Sequence, residues 1–289
     1  MGIILLSEDT SCAKEISDGW LQKTEFDNET AKLAVPLLHK AINKSIDWLR
    51  THKSELLLKI CDVAVVKLIL TQFESAATNI ALNSMQITSE DMVYTAITRS
   101  LSEVIKPDAV DRFHDELCEV VGVPPCPAAC PPAWVTDHLF LCPRLSHSEH
   151  VIRACATQNQ HLVVMGAAAS AKNLLIEYVL KDLNLPIITI DCTPMLEPEH
   201  IIAELKRNNV LRSGGGANSK GSRAVLFVRS VHRARVDSWG SSAVHALLLQ
   251  LIQSGSVWVC GGEEAARARA DVTVLVSAAG HLTARVAAV

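Results

Sequence analysis

The chain has 289 residues, of which 49 % are apolar and 20 % charged. It can bury a substantial core and is too apolar for wholesale disorder. Aromatics make up only 4 %, so that core must be aliphatic and alanine-rich, and the net charge of −4 excludes a general attraction to nucleic acid or to an anionic membrane.

The length leaves room for one large domain or two ordinary ones. Charge is unevenly divided: residues 1–120 carry 12 Lys/Arg against 19 Asp/Glu (net −7), and residues 121–289 carry 15 against 12 (net +3). Two units of different character are therefore expected. Nine cysteines are too few for a disulfide scaffold. The apolar start Met1–Leu6 is ended too soon by Ser7, Glu8 and Asp9 for a signal sequence, and Leu6 sits where myristoylation needs Ser or Thr. No stretch approaches the roughly 18 apolar residues of a membrane span. An intracellular, reduced, soluble polypeptide without membrane contact is expected.

Residues 30–82 read as helical throughout, with Leu33, Leu37, Ala41, Leu49, Leu56, Ile60 and Ala64 recurring at three- and four-residue steps. Met92–Val104 follows Ser89 as N-cap, and Val110–Val121 places Phe113, Leu117 and Val121 on one face. Residues 1–121 form the first, acidic and helical unit. Residues 122–140 read as a connector, since five prolines fall between Val123 and Pro132. From residue 141 to 289 the rhythm changes. Strands are expected at His161–Met165, Pro186–Ile190, Ala224–Val228 and Val272–Val276. Helices are expected at Asn173–Leu183, from Glu197-Pro198 to Asn209, and at Ser241–Gln253. Strands alternating with helices imply a parallel α/β sheet. Ser213–Ser219 reads as a flexible glycine-rich loop.

Gly166-Ala167-Ala168-Ala169-Ser170-Ala171-Lys172-Asn173 follows an apolar strand and opens a helix, the setting of a phosphate-binding loop of pattern G-x-x-x-x-G-K-[S/T]. In such a loop backbone N–H groups and a helix N-terminus surround the phosphates, the lysine adds charge and the hydroxyl ligates Mg²⁺. Gly166 and Lys172 are kept. Ala171 replaces the second glycine, and its Cβ penalises a positive φ. Asn173 replaces the hydroxyl. From this segment alone a nucleotide loop and an ordinary strand–turn–helix both stay open. The third strand is more telling. It ends in Arg229-Ser230, where a nucleotide hydrolase keeps acids to hold Mg²⁺ and orient water. A guanidinium repels a divalent cation, so hydrolysis is not expected.

Ala224–Trp258 resembles the AAA+ modules of dynein heavy chains. Phe227–Ala234 is similar to their F-I-D-D-L-N-M-P, Asp237–Ser242 to D-x-Y-G-T-Q, Leu247–Gln250 to the following E-L-L-R-Q, and Gly255–Trp258 to G-G-W-Y. Asp271–Leu275 resembles D-V-Q-F-V and Thr283–Arg285 resembles T-P-R. Toward the N-terminus, Gly2–Leu5, Gly19–Leu21, Val35–Leu38 and Phe113–Leu117 resemble the end of one module and its helical lid.

The resemblance implies the lid of a second module followed by the large subdomain of a third, incomplete at its C-terminus because the chain stops at Val289. It implies a parent protein that drives microtubule-based movement in the cytoplasm, on the cytoskeleton or in a ciliary axoneme. Its partners would be neighbouring AAA+ modules of the same heavy chain, dynein intermediate and light chains, and microtubules. Carried over, Gly166, Ala171, Lys172 and Asn173 form a decayed Walker A loop. Arg229 and Ser230 stand at the lost Walker B acids, and the sensor region falls near Ala279. Such a module has no certain cofactor, or holds ATP or ADP without Mg²⁺. It is closest in character to divergent dynein heavy chain domain-containing proteins.

Other signals read more plainly. Cys126, Cys130, Cys142, His147 and His150 could be drawn as a zinc site, but the CxxxC lies among prolines and no paired CxxC ladder exists, so scattered thiols are expected. Arg223, Arg229, Arg233 and Arg235 read as a solvated rim or as partners for nearby acids, with a phosphate-contacting patch as the lesser alternative, and Trp134, Trp239 and Trp258 read as packing anchors. No Ser–His–Asp set appears. Three readings remain: an inert AAA+ structural segment, a regulatory module that binds nucleotide without turnover, and a stand-alone α/β interaction protein.

Overall fold

A computed structural model of the chain describes residues 13–23, 29–57, 60–83, 88–122, 133–136, 139–213, 224–260 and 265–279. The chain divides into two compact units. One comprises Met1–Pro132 with Cys142–Ala154, the other Ala133–Leu141 with Cys155–Val289.

The first unit is helical: α1 (Ala13–Lys23), α2 (Glu29–Thr51), α3 (Asp62–Asn83), α4 (Ser89–Leu101), α5 (Pro107–Val121) and most of α6 (Pro143–Thr157). Leu38, Ile42, Ile69, Phe73, Met92, Ile97 and Phe113 are all fully buried, so the α2, α3, α4 and α5 stripes meet in one aliphatic core. Trp48 packs edge-on against Phe113 at 5.1 Å and donates its indole N–H to Glu116, which satisfies the one polar atom the ring takes inside. The stretch 30–82, expected to be helical throughout, is two helices with a break between them. After Thr51 the chain makes a short 3-10 turn at Lys53–Glu55 and bridges Leu56 to Ile105, and α3 starts at Asp62. Leu56 and Ile60 keep the apolar phase of a helix while serving as turn residues that pack on the core. The cap of α4 is Thr88 rather than Ser89: the Thr88 hydroxyl accepts the Asp91 N–H.

The second unit is α/β. Four parallel strands lie in the order β3 (Leu162–Gly166), β9 (Val272–Ala279), β6 (Ala224–Arg229), β4 (Ile187–Asp191). Their connections run through α7 (Lys172–Asp182), α8 (Pro198–Arg207) and α9 (Ala243–Ser254). β6 is buried along Ala224–Val228, as expected of a central strand covered on both faces. Leu226, Val228, Val274 and Val276 join Leu248 and Leu251 of α9 in one core. All four expected strands and three expected helices are present, with ends shifted by at most three residues.

Three features were not anticipated. A two-stranded hairpin, β1 (Ala133–Thr136) with β2 (Leu139–Leu141), falls in the last part of the expected connector. Helix α6 follows it. A second sheet, of order β5 (Leu211–Ser213), β8 (Ala265–Ala270), β7 (Ser256–Cys260), is antiparallel throughout. The proline run at 123–132 and the glycine-rich residues 214–219 lie outside the described residues, as do residues 2–5 and 280–289, which carry parts of the resemblance. No helix among the described residues is long and apolar enough to cross a membrane.

Candidate functional site

The C-terminal ends of the four parallel strands bring the sequence-derived residues to one edge of the sheet. β3 ends at Gly166, α7 begins at Lys172, and between them Ala167–Ala171 forms a tight loop. Both Ala169 (φ 61°) and Ala171 (φ 57°) are left-handed. The turn thus keeps the backbone shape of a glycine-bearing loop at positions where a Cβ is disfavoured, at a cost of about 1–2 kcal/mol per residue. A Cβ on Gly166 would approach Ser170 Oγ to 3.1 Å, a tight contact that the serine side chain would have to yield to.

The lysine closes on its own loop. Lys172 Nζ donates to Ala167 O (2.6 Å), Gly166 O (3.1 Å) and Ser170 Oγ (3.1 Å), which uses all three ammonium protons. An arriving phosphate must break these bonds before it can claim the charge. The Asn173 side-chain oxygen, expected to stand in for the magnesium-binding hydroxyl, is buried with no hydrogen-bond donor.

Across β9 lies the end of β6. Arg229 is the last residue of that strand, and the parallel register sets it beside Asp191, the last residue of β4. Its guanidinium bonds Glu177 of α7 through Nη2 and reaches Asp191 Oδ1 at 3.5 Å, while its Cζ sits 5.8 Å from the Phe227 ring centroid. A strand end that holds Mg²⁺ is anionic before the metal binds; here a guanidinium stands between two carboxylates. Ser230 is left-handed (φ 56°) and donates its N–H to the Ser277 hydroxyl at 3.0 Å, so it helps bond β6 to β9 and offers no carboxylate.

Around the same edge, His232 Nδ1 accepts the Ala279 N–H at 3.0 Å. That bond requires a neutral Nδ1. The protonated form of His232 is disfavoured first by partial burial and then by the Arg233 and Lys172 charges. The backbone at the end of β9 is thus tied to the turn after β6 by a backbone–imidazole bond. His245 meets the Val231 carbonyl at 3.1 Å and holds the turn after β6 against α9.

Loop and strand end were legible in the sequence; the acids Glu177 and Asp191 were not. Asp191 had a usable signal: it ends the strand next to the one ending in Arg229, so parallel register alone pairs them. Glu177 had none, because its contact depends on how α7 lies on the sheet.

The expected metal alternative stays undeveloped. No group of three or more metal-binding side chains occurs among the described residues, and Cys126 and Cys130 lie outside them. His150 contacts Glu149 at 3.0 Å and the Ser146 carbonyl at 2.6 Å, so it is engaged within α6. Trp239 is corrected from packing anchor to surface residue, being 90 % exposed, and Trp258 is 55 % exposed. The Trp134 side chain lies outside the described residues.

No family model matches the chain, and no curated protein matches it. Among solved structures the chain is similar to a putative ATPase from Cytophaga hutchinsonii, with a TM-score of 0.30 and 16 % identity over 48 % of this chain and 39 % of that one. The chain therefore spans under half the length of that protein. A likeness at this level carries no argument about activity, and the fold is established by the strand order: an N-terminal helical region followed by a four-stranded parallel α/β sheet with a phosphate-loop-like turn at the end of its first strand.

Proposed function

We propose that this chain is a non-hydrolysing structural segment of an AAA+ ring of the dynein-heavy-chain type. It would serve as scaffold between neighbouring modules of a protein that works on microtubules, in the cytoplasm or in a ciliary axoneme. The observation that supports it most is Arg229 held between Glu177 and Asp191 at the strand end where a nucleotide hydrolase keeps its acids. With Mg²⁺ repelled and no carboxylate free to orient water, charge developing on a transferred phosphoryl group has no stabiliser. The order β3-β9-β6-β4, with the last strand inserted beside the phosphate-loop strand, is the order of AAA+ large subdomains and favours this reading over a stand-alone interaction protein.

A second reading has its own observation. Gly166, Lys172 and the N-terminus of α7 keep the geometry of an anion cradle, so the module could act as a regulatory one that holds ADP or ATP without Mg²⁺ and without turnover. Equilibrium dialysis with ATP and ADP, with and without Mg²⁺, separates the two. The structural reading expects no saturable binding of either nucleotide. Saturable binding that is insensitive to Mg²⁺ establishes the regulatory reading, and binding that requires Mg²⁺ overturns both.

A further inference from the structure

The two units carry complementary surfaces that neither the core nor the nucleotide-like edge uses. Asp108, Asp111, Asp115 and Glu119 lie along α5 at steps of three and four, and all four are exposed. They form one acidic stripe. Like charges at this spacing repel along a helix, and Glu119 also sits near the negative end of the helix dipole. None of the four pairs with a lysine or arginine among the described residues; Arg112, in the same helix, reaches across to Glu55 instead.

The second unit presents the opposite character on a built protrusion. After β6 the residues from Arg235 to Ser241 are exposed, Trp239 at 90 % and Val236 at 50 %. The turn is fastened from within. Asp237 accepts the N–H groups of Trp239 (2.9 Å) and Ser241 (2.8 Å) on one carboxylate oxygen. Its own N–H donates to Ser241 O at 2.8 Å, and Gly240 takes the left-handed φ of 82° that closes the turn. A tryptophan held out on a pre-formed turn loses little conformational freedom on being covered, and such rings are the commonest anchors of interfaces. Arg233 and Arg235 stand beside it, both exposed and neither paired with a carboxylate among the described residues. Between Glu204 and Asp237 the chain has eight Lys/Arg and no Asp or Glu.

We infer that the Arg233–Trp239 protrusion docks on the acidic α5 stripe of a second copy of this chain. The arginines neutralise the stripe and Trp239 supplies the apolar anchor. The contact is heterologous, donor surface to different acceptor surface, so it closes as a reciprocal dimer or continues as an open chain. It does not depend on nucleotide chemistry.

The test is the mass of the full chain in sedimentation equilibrium over about a hundredfold range of concentration. It is run at low salt and again near 0.5 M NaCl, where screening shrinks to a few Å. Concentration-dependent association at low salt and its loss at high salt are expected, and Trp239→Ala should weaken it by about tenfold or more. The paired variants Asp111→Lys with Asp115→Lys, and Arg233→Glu with Arg235→Glu, should each be monomeric, and each should keep the wild-type melting temperature within a few degrees. Mixed, the two variants restore opposite signs at both contacts, the intact arginines meeting the intact acidic stripe and the introduced glutamates meeting the introduced lysines, and should associate again. Mixed with wild type, either variant offers one complementary surface and one repulsive one, so it should lower the average mass below that of wild type alone at the same total concentration. A wild type that is monomeric throughout, or association untouched by these substitutions, overturns the inference.

Discussion

The loop after β3 and the end of β6 face the same edge of one sheet and differ from the phosphate-loop hydrolase pattern in opposite ways. The loop keeps its shape and loses chemistry. Ala169 and Ala171 hold left-handed conformations that glycine would take without strain, Lys172 is turned onto its own carbonyls, and the Asn173 oxygen is buried without a donor. The strand end keeps its place in the sheet but has its charge reversed, and the neighbouring acids now balance a guanidinium. Backbone geometry at the loop is set by the strand before it and the helix after it, so alanine takes the left-handed conformation there. The charge at the strand end is set by three side chains, Arg229, Glu177 and Asp191.

That contrast is sharpened most by breaking the strand end. Arg229→Asp removes the cation from between Glu177 and Asp191 and puts a third carboxylate beside them. A fully buried pair broken on one side costs about 3–5 kcal/mol. With Arg229 30 % exposed, the expected loss is nearer 2 kcal/mol. Urea unfolding measures it, and an unchanged midpoint would show that the three side chains are not coupled.

The loop should respond in the other direction. Ala169→Gly and Ala171→Gly each relieve a left-handed alanine and are expected to stabilise the second unit by about 1 kcal/mol apiece, less the extra freedom glycine gains in the unfolded chain. A double variant no more stable than the wild type would mean that the loop conformation is not strained.

A smaller effect comes from the opposite end of β3. His161 Nδ1 accepts the Val274 N–H at 3.0 Å, and burial holds its imidazole below the usual histidine range. The folded state therefore binds fewer protons than the unfolded one, so stability is full above the unfolded value of about 6.5 and falls as pH drops below it toward the lowered folded value. Thermal melts between pH 8 and pH 5 should show this fall, and His161→Asn should flatten part of it. A decline of the same size in the variant would assign the proton uptake to His114, His147 and His232, whose values are lowered too. The smallest expected effect is none: Lys172→Ala should leave any ATP-dependent change in melting temperature at zero, as in the wild type.

Much of the second unit was legible because β3, β4, β6 and β9 are short runs rich in Val, Ile and Leu, spaced by helical patterns. The antiparallel sheet was not. β8 reads Ala-Ala-Arg-Ala-Arg-Ala, in which alanine gives no strand preference, and β5 is three residues long. Helix α6 was hidden by its low amphipathic contrast, and the break after Thr51 by Leu56 and Ile60, which keep a helical phase outside any helix. At the site, Gly166, Lys172, Asn173 and Arg229 could be placed from motif and strand position. The left-handed Ala169 and Ser230 and the partner Glu177 could not, since each depends on packing between distant elements.

The central claim is that a guanidinium held by carboxylates at the end of β6 leaves no place for catalytic magnesium. It is tested most directly by steady-state ATP hydrolysis with the purified chain in Mg²⁺, alongside Lys172→Ala. The account predicts phosphate release no faster than that of a heat-denatured control and identical for both proteins. Turnover above that control that disappears in Lys172→Ala would contradict it.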